Sequence, residues 1–269
     1  MSQETHHHHG FRFKGAWARA KLEYAYWTCR DWPITDVGDF WDSVTDYDDI
    51  NEETYTYFRR FTDGHQISTI PDNSHVLEVT PRTGNGTLYF YQQGKIAHAD
   101  LADVSDFQMD ICRKNLTEHS VPFTMVRLTD YSFPYEDNRF DAVLSFETVE
   151  HMGRPETFLA EIGRVLKPGG ELLLSCPNIL WEPIHWIAAI FELHHSEGPH
   201  NFLTRHQLHT WFDRAGLEVE EEICTILIPG GPQWLTGFGE WLERNLPKVV
   251  VRALGLRRIF RCRKRVEAS

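Results

Sequence analysis

The run Glu147-Thr148-Val149-Glu150-His151 brings two carboxylates and an imidazole close together in sequence, and these are the side chains that take up and release protons near neutral pH. A second concentration of histidine follows at His185, His194, His195, His200, His206 and His209. His200 stands apart within it. Gly198-Pro199 breaks the apolar run before it and a helix is expected from about Thr204, so the ring falls on a loop between a cap and the body of the protein. An imidazole there can accept a proton from a bound hydroxyl or amine, with His151 as the second candidate for that role. A third cluster can bind rather than react. After the apolar stretch His75 to Val79 comes Thr80-Pro81-Arg82-Thr83-Gly84-Asn85-Gly86, where the glycines let the backbone approach a ligand and the next helix offers free N–H groups. Asp100 is read as the end of the following strand, where a carboxylate accepts hydrogen bonds from ribose hydroxyls.

These residues need elements to position them. His75 to Val79, Lys95 to Asp100, Thr124 to Leu128, Asp141 to Phe146 and Glu171 to Cys176 read as strands. Ser105 to Glu118 and Pro155 to Leu166 read as helices between them, the second stopped by Lys167-Pro168-Gly169-Gly170. Such alternation predicts parallel βαβ units in an α/β three-layer sandwich, with ligands beyond the carboxyl ends of the strands. Leu217 to Ile228 and Ile259 to Val266 are expected to close the sheet as an antiparallel pair.

The motifs occur in a recognisable order: Val76-Leu77-Glu78-Val79 with Thr83-Gly84-x-Gly86, Asp100, Phe133 to Asp141, Glu150-His151, and Arg164-Val165-Leu166-Lys167-Pro168-Gly169-Gly170. Over about residues 74 to 178 the chain resembles the class I S-adenosylmethionine-dependent methyltransferases. The resemblance implies a mostly parallel, seven-stranded Rossmann-like sheet and S-adenosylmethionine as cofactor. It further implies that Glu78, Thr80, Gly84 and Gly86 shape the turn holding the methionine moiety, that Asp100 binds the ribose, and that Asp130, Tyr131 and Phe146 complete the cofactor site. The chain departs from the family where glycine gives way to Thr80 and Arg82. A β-branched residue and a bulky cation restrict the torsions there and crowd a ligand, so either the loop takes another path or cofactor binding is weakened.

Two readings of Glu147, Glu150 and His151 stay open. Either Glu150 and His151 are the family's usual post-strand pair anchoring the loop, or the three resemble the divalent-metal site of ubiquinone-type O-methyltransferases and of small-RNA 2′-O-methyltransferases, where an ion polarises the acceptor oxygens. The anchor needs no metal and is the reading adopted. Trp181, Ile184, Trp186, Ile187, Ile190, Phe191 and Leu193 make one apolar helical face, suited to core packing or to a lid over an apolar acceptor.

The whole chain of 269 residues carries 39 acidic and 27 basic side chains, a net charge of -12, which disfavours a general nucleic-acid binder. No window has the length and apolarity of a membrane span, and Met1 to Gly10 lacks a signal-peptide layout. Five scattered cysteines without a C-x-x-C pair fit reduced thiols, and the expected location is the cytoplasm. His6 to His9 carry no argument, since such a tract suits a purification tag as well as a native segment. Residues 1–70, aromatic and then acidic, are expected to form a helical extension; 71–228 the methyltransferase core with a cap insertion at about 179–203; 229–269 a final segment. That segment puts eight cations and no acid into Lys248 to Val266, which either complete the sheet or touch an anionic membrane surface. The function these observations predict is methyl transfer to a small-molecule acceptor, oxygen favoured over nitrogen or carbon. The alternatives are a lipid or quinone methyltransferase at the membrane surface and a degenerate, non-catalytic binding protein.

Overall fold

The computed structural model describes residues 15–29, 31–43, 55–190 and 198–266. Asp46, Tyr47, Asp48, Asp49, Glu52 and Glu53 of the acidic stretch, Phe191 to Glu197 of the cap, and His6 to His9 lie outside the described residues. Among the described residues three helices, α1 (Ala16–Thr28), α2 (Ile34–Ser43) and α3 (Arg59–Ile67), precede the first strand, β1 (Ser74–Val79). β1 is apolar toward both faces: Leu77 and Val79 enter one core and Val76 the other, as a central parallel strand requires.

Around β1 the sheet runs in the order β3-β2-β1-β4-β5-β7-β6, from β2 (Ile96–Asp103), β3 (Phe123–Arg127), β4 (Phe140–Phe146), β5 (Leu166–Pro177), β6 (Leu217–Thr225) and β7 (Arg257–Lys264). Strands β1 to β5 are parallel, and β7 runs antiparallel between β5 and β6. Crossover helices α4 (Asn85–Gln92), α5 (Asp106–Glu118), α6 (Pro155–Val165), α7 (Glu182–Ile190) and α8 (Arg205–Arg214) connect the strands. The three-layer, mostly parallel sandwich expected from the sequence is the fold observed.

β2 corrects one sequence expectation. It runs three residues past Asp100, so Asp103 and not Asp100 stands at its carboxyl end. Two further segments differ from expectation. No side chain of α7 is fully buried; Ile184 and Ile187 stay mostly exposed, and the helix leans on α1 through an edge contact of Trp186 with Trp27. Between β6 and β7 two more helices intervene, α9 (Gln233–Asn245) and α10 (Lys248–Leu254), where the sequence showed only an unassigned segment.

The basic tail is part of the sheet. Arg257 pairs with Glu147 at 3.0 Å, Arg258 with Glu222, Arg261 with Glu220 and Glu221 at 3.5 Å, Arg263 with Glu220 at 3.1 Å, and Arg265 with Asp213. Lys264 donates to the Leu166 carbonyl at 2.7 Å. These cations are thereby paired with acids and carbonyls of the fold.

The N-terminal extension is fastened to the core. Trp32, Ile34, Val37 and Trp41 share a cluster with Phe158, Phe212 and Phe260, and Trp32 Nε1 donates to the His151 carbonyl at 2.9 Å. Gly153 lies so close that an added Cβ would meet the Trp32 backbone nitrogen at 2.5 Å and its carbonyl oxygen closer still. Gly153→Val should therefore cost at least about 2–3 kcal/mol, read as a lower midpoint in urea unfolding.

Candidate functional site

The carboxyl ends of β1, β2 and β4 meet under α2. The loop after β1 keeps a glycine-type path without its glycines, since Thr80 has φ 52° and Arg82 φ 54°. Both are left-handed, a conformation that costs a side-chain-bearing residue about 1–2 kcal/mol. Gly84, at φ 80°, is glycine for a further reason: a Cβ there would meet Cys112 Sγ at 2.8 Å.

The side chains at 80 and 82 fill the space a glycine loop would leave open. Thr80 Oγ1 reaches Thr148 Oγ1 at 2.5 Å, bridging the ends of β1 and β4. The Arg82 guanidinium lies over the Trp41 ring at 5.1 Å, and both residues are buried. What remains, between Val37, Trp41, Thr80, Arg82, Asp103 and His151, is a cavity of about 10 Å³. That is room for about one water, against the roughly 300 Å³ or more of a pocket for a drug-sized ligand.

Burial shapes the acids beneath this cleft. Glu78 is pushed up to about 7 by burial, although Thr87 Oγ1 donates to it. Burial likewise raises Asp103 to about 6, even though it accepts backbone N–H groups from Val104 at 2.7 Å, Ser105 at 3.0 Å and Arg82 at 3.2 Å. α2 adds a competitor at the same place: Asp42 Oδ1 accepts from Ser105 Oγ at 2.6 Å and from the Phe107 N–H at 3.2 Å, capping α5. At Glu147 burial acts upward, but Arg257 and Arg60 face it and hold its carboxyl below the usual range.

The raised Glu78 carries a pH signature. Its carboxyl stays protonated in the fold to higher pH than in the unfolded chain, so stability falls as pH rises from about 4.5 to about 7. Glu78→Gln keeps an acceptor for Thr87 and should remove a slope worth on the order of 3 kcal/mol. Denaturant midpoints of the two proteins, measured across that window, compare them directly.

The other residues singled out in the sequence are scattered. Asp100 lies inside β2, opposite Leu77, and its carboxylate accepts from His75 at 2.7 Å, Arg139 at 2.9 Å and Thr124. Its hydrogen-bonding capacity is used within the fold, which corrects its assignment to a ribose. Asp130 is exposed and accepts the Ser132 N–H at 2.6 Å, while Tyr131 is buried and donates to the Trp32 carbonyl at 3.2 Å. Neither faces the cleft as expected. The Phe146 ring packs edge-on against Phe61 at 5.2 Å, in the core on the other side of the sheet. Asp103 was missed because three residues after Asp100 continue the strand; the signal for it was Ser105 as a helix N-cap, which fixes the strand's end just before it.

Glu147 and His151 point apart. Glu147 accepts from Ser175 Oγ at 2.7 Å and Arg257 Nε at 3.0 Å, while His151 Nδ1 meets the Pro199 carbonyl at 3.2 Å. Among the described residues the His/Cys/Asp/Glu group close enough to share an ion is instead His75, His98 and Asp100, whose acid already carries Arg139. His200 is more telling. It is buried, its Nδ1 lies 2.9 Å from the Gly198 carbonyl, and its ring is 6.3 Å from that of His151. A carbonyl can only accept, so Nδ1 carries the hydrogen and Nε2 the lone pair. That Nε2 is buried without a hydrogen-bond partner among the described residues. A larger groove of about 820 Å³ opens elsewhere, between α3, β6 and the α9–α10 pair, with Tyr55, Phe58, Arg59, Glu240 and Lys248 on its walls.

With this geometry in hand, the comparisons with known proteins are specific. Residues 77–174 match the family model described as a methyltransferase domain. The chain is 31% identical over 120 residues to the ubiquinone/menaquinone biosynthesis C-methyltransferase UbiE of Azotobacter vinelandii, a match covering 44% of this chain and 47% of that relative. Among solved structures it superposes on a putative methyltransferase complexed with the Haloferax volcanii Trm112 activator, with a TM-score of 0.65, 18% identity, and coverage of 88% of this chain and 99% of that one. It also superposes on the [4+2]-cyclase SpnF, with a TM-score of 0.63, 21% identity, and coverage of 86% and 96%. Residues 77–174 are therefore a class I S-adenosylmethionine-dependent methyltransferase domain. The match spans about half of the relative's length. In the arrangement described, the cleft between Thr80, Arg82 and Trp41 does not fit that cofactor.

Proposed function

We propose that the protein transfers a methyl group to a small apolar acceptor, oxygen favoured, and that α2 is a lid that must leave the cleft before the cofactor enters. The observation that carries this reading is His200: a buried imidazole whose Nδ1 meets the Gly198 carbonyl, with Nε2 left without a hydrogen-bond partner among the described residues, one residue layer from the cleft. An acceptor hydroxyl beside it gives its proton to Nε2. His151, anchored on the Pro199 carbonyl, supports the same wall, and Trp41 closes it against water. The matched relative acts in quinone biosynthesis, which supports an apolar acceptor here. The test is turnover: purified protein given S-adenosylmethionine and a panel of phenols, hydroxyquinones and hydroxy acids should release the demethylated cofactor with at least one class. Release with none at saturating cofactor removes the reading.

A second reading has its own observation. Thr80, Arg82 and Trp41 fill the cleft, and a protein that never opens it would be a non-catalytic member of the fold. The cyclase that superposes on this chain illustrates that the fold is not tied to one reaction. Calorimetry with S-adenosylmethionine separates the two, since only the first reading binds it.

A further inference from the structure

We propose that the outward face of α9 and α10 seats this protein on the surface of an anionic phospholipid bilayer. This goes beyond the reading of the cleft and does not depend on it. The two helices follow the carboxyl end of β6, at the sheet edge where the cleft lies. α9 is polar toward the protein and apolar away from it. Inward, Glu243 accepts the backbone N–H groups of Ile226 at 3.0 Å and Leu227 at 3.1 Å and pairs with Arg59 at 2.7 Å, while Glu240 accepts from Tyr55 at 2.8 Å. Outward, Trp234, Phe238 and Trp241 recur at spacings of four and three, which aligns them on one stripe, and they are 73%, 48% and 54% exposed. Phe238 and Trp241 stack on one another at 5.8 Å, so the stripe presents a preformed aromatic face.

Water is a poor neighbour for three such rings, and the interface of a bilayer, where aromatic rings settle at headgroup depth, is a good one. The charges beside the stripe choose the lipid. Lys248 and Arg252 on α10 stand at the mouth of the groove between α3, β6 and the α9–α10 pair, are exposed and make no ion pair among the described residues, whereas the six cations from Arg257 to Arg265 are all held by the fold. Val249, 72% exposed, lies beside Lys248. Trp181 Nε1 donates to the Leu254 carbonyl at 2.9 Å, and Leu254 and Leu180 add further exposed apolar side chains to this part of the protein. The net charge of -12 sets the orientation, because an anionic surface repels the rest of the chain and leaves this basic, aromatic face as the side that docks. No helix among the described residues is long and apolar enough to cross a membrane, so the contact is one of lying on the surface.

The experiment is sedimentation of the full chain with vesicles of phosphatidylcholine alone and of equimolar phosphatidylcholine and phosphatidylglycerol. The protein should pellet with the mixed vesicles and much less with the neutral ones, and raised salt should release it. Lys248→Gln with Arg252→Gln should weaken partitioning by about thirtyfold, as two interfacial cations lost imply. Trp234→Ser, Phe238→Ser and Trp241→Ser together should weaken it by at least about tenfold. All five positions are exposed, so thermal unfolding should stay near that of the parent and show that the variants fold. No pelleting with mixed vesicles overturns the proposal, and so does pelleting that both variants retain. Self-association without lipid, abolished by the aromatic substitutions, would also overturn it and assign the face to a second copy of the chain.

Discussion

His200→Ala should lower methyl transfer by about 10²–10⁴-fold, the usual contribution of a positioned base, while leaving cofactor affinity nearly unchanged. The reason is geometric. Nδ1 is committed to the Gly198 carbonyl, which leaves Nε2 as the ring nitrogen that could take a proton, and no hydrogen bond competes for it among the described residues. Because the ring is buried, its removal also leaves a hole, and a second variant separates the two effects. His200→Asn retains a donor for the carbonyl but no base, so it should match alanine in turnover and approach the parent in stability. Asparagine with parental turnover would make His200 a positioning residue and transfer the base to His151.

Arg82→Gly should tighten S-adenosylmethionine binding by at least about tenfold, with no loss of stability from backbone torsion. Glycine accepts φ 54° freely, relieving about 1–2 kcal/mol of left-handed strain. The substitution also withdraws a guanidinium from over Trp41 and empties part of the space between β1 and α2. Against this, the buried Trp41 ring loses its cation, worth about 1–2 kcal/mol in a desolvated site, so the net change in unfolding midpoint should be small. Calorimetric titration of parent and variant gives the comparison, and equal or weaker affinity in the glycine variant would show that Arg82 is not what closes the cleft.

The sheet was legible because its signals are local. Val76, Leu77 and Val79 announce a two-sided strand, and Pro155 to Val165 announces a helix with an apolar face and a glycine stop after it. The antiparallel closing pair was legible too, once alternating arginines were read as one face of β7. What failed were matters of reach. Whether Asp100 or Asp103 ends β2 depends on three residues that suit a strand or a loop equally well in sequence, and it decided the ribose assignment. That α2 would lie over the cleft depends on Trp41 meeting Arg82, a contact between residues 41 positions apart that no periodicity encodes. α9 went unread because its polarity is inverted: Trp234, Phe238 and Trp241 look like a buried face, and Glu240 and Glu243 like a solvated one. The histidine was visible as a candidate on its loop, but its tautomer came only from the Gly198 carbonyl.

The central claim is that this domain binds S-adenosylmethionine by moving α2 out of the cleft. Hydrogen exchange read by mass spectrometry, with and without saturating cofactor, tests it in one measurement. Amides of Ile34–Ser43 should exchange faster with cofactor as the helix lifts, while those from Val79 to Thr87 slow as the loop is covered. Identical exchange in both segments would contradict the account and leave a methyltransferase fold whose cleft stays shut.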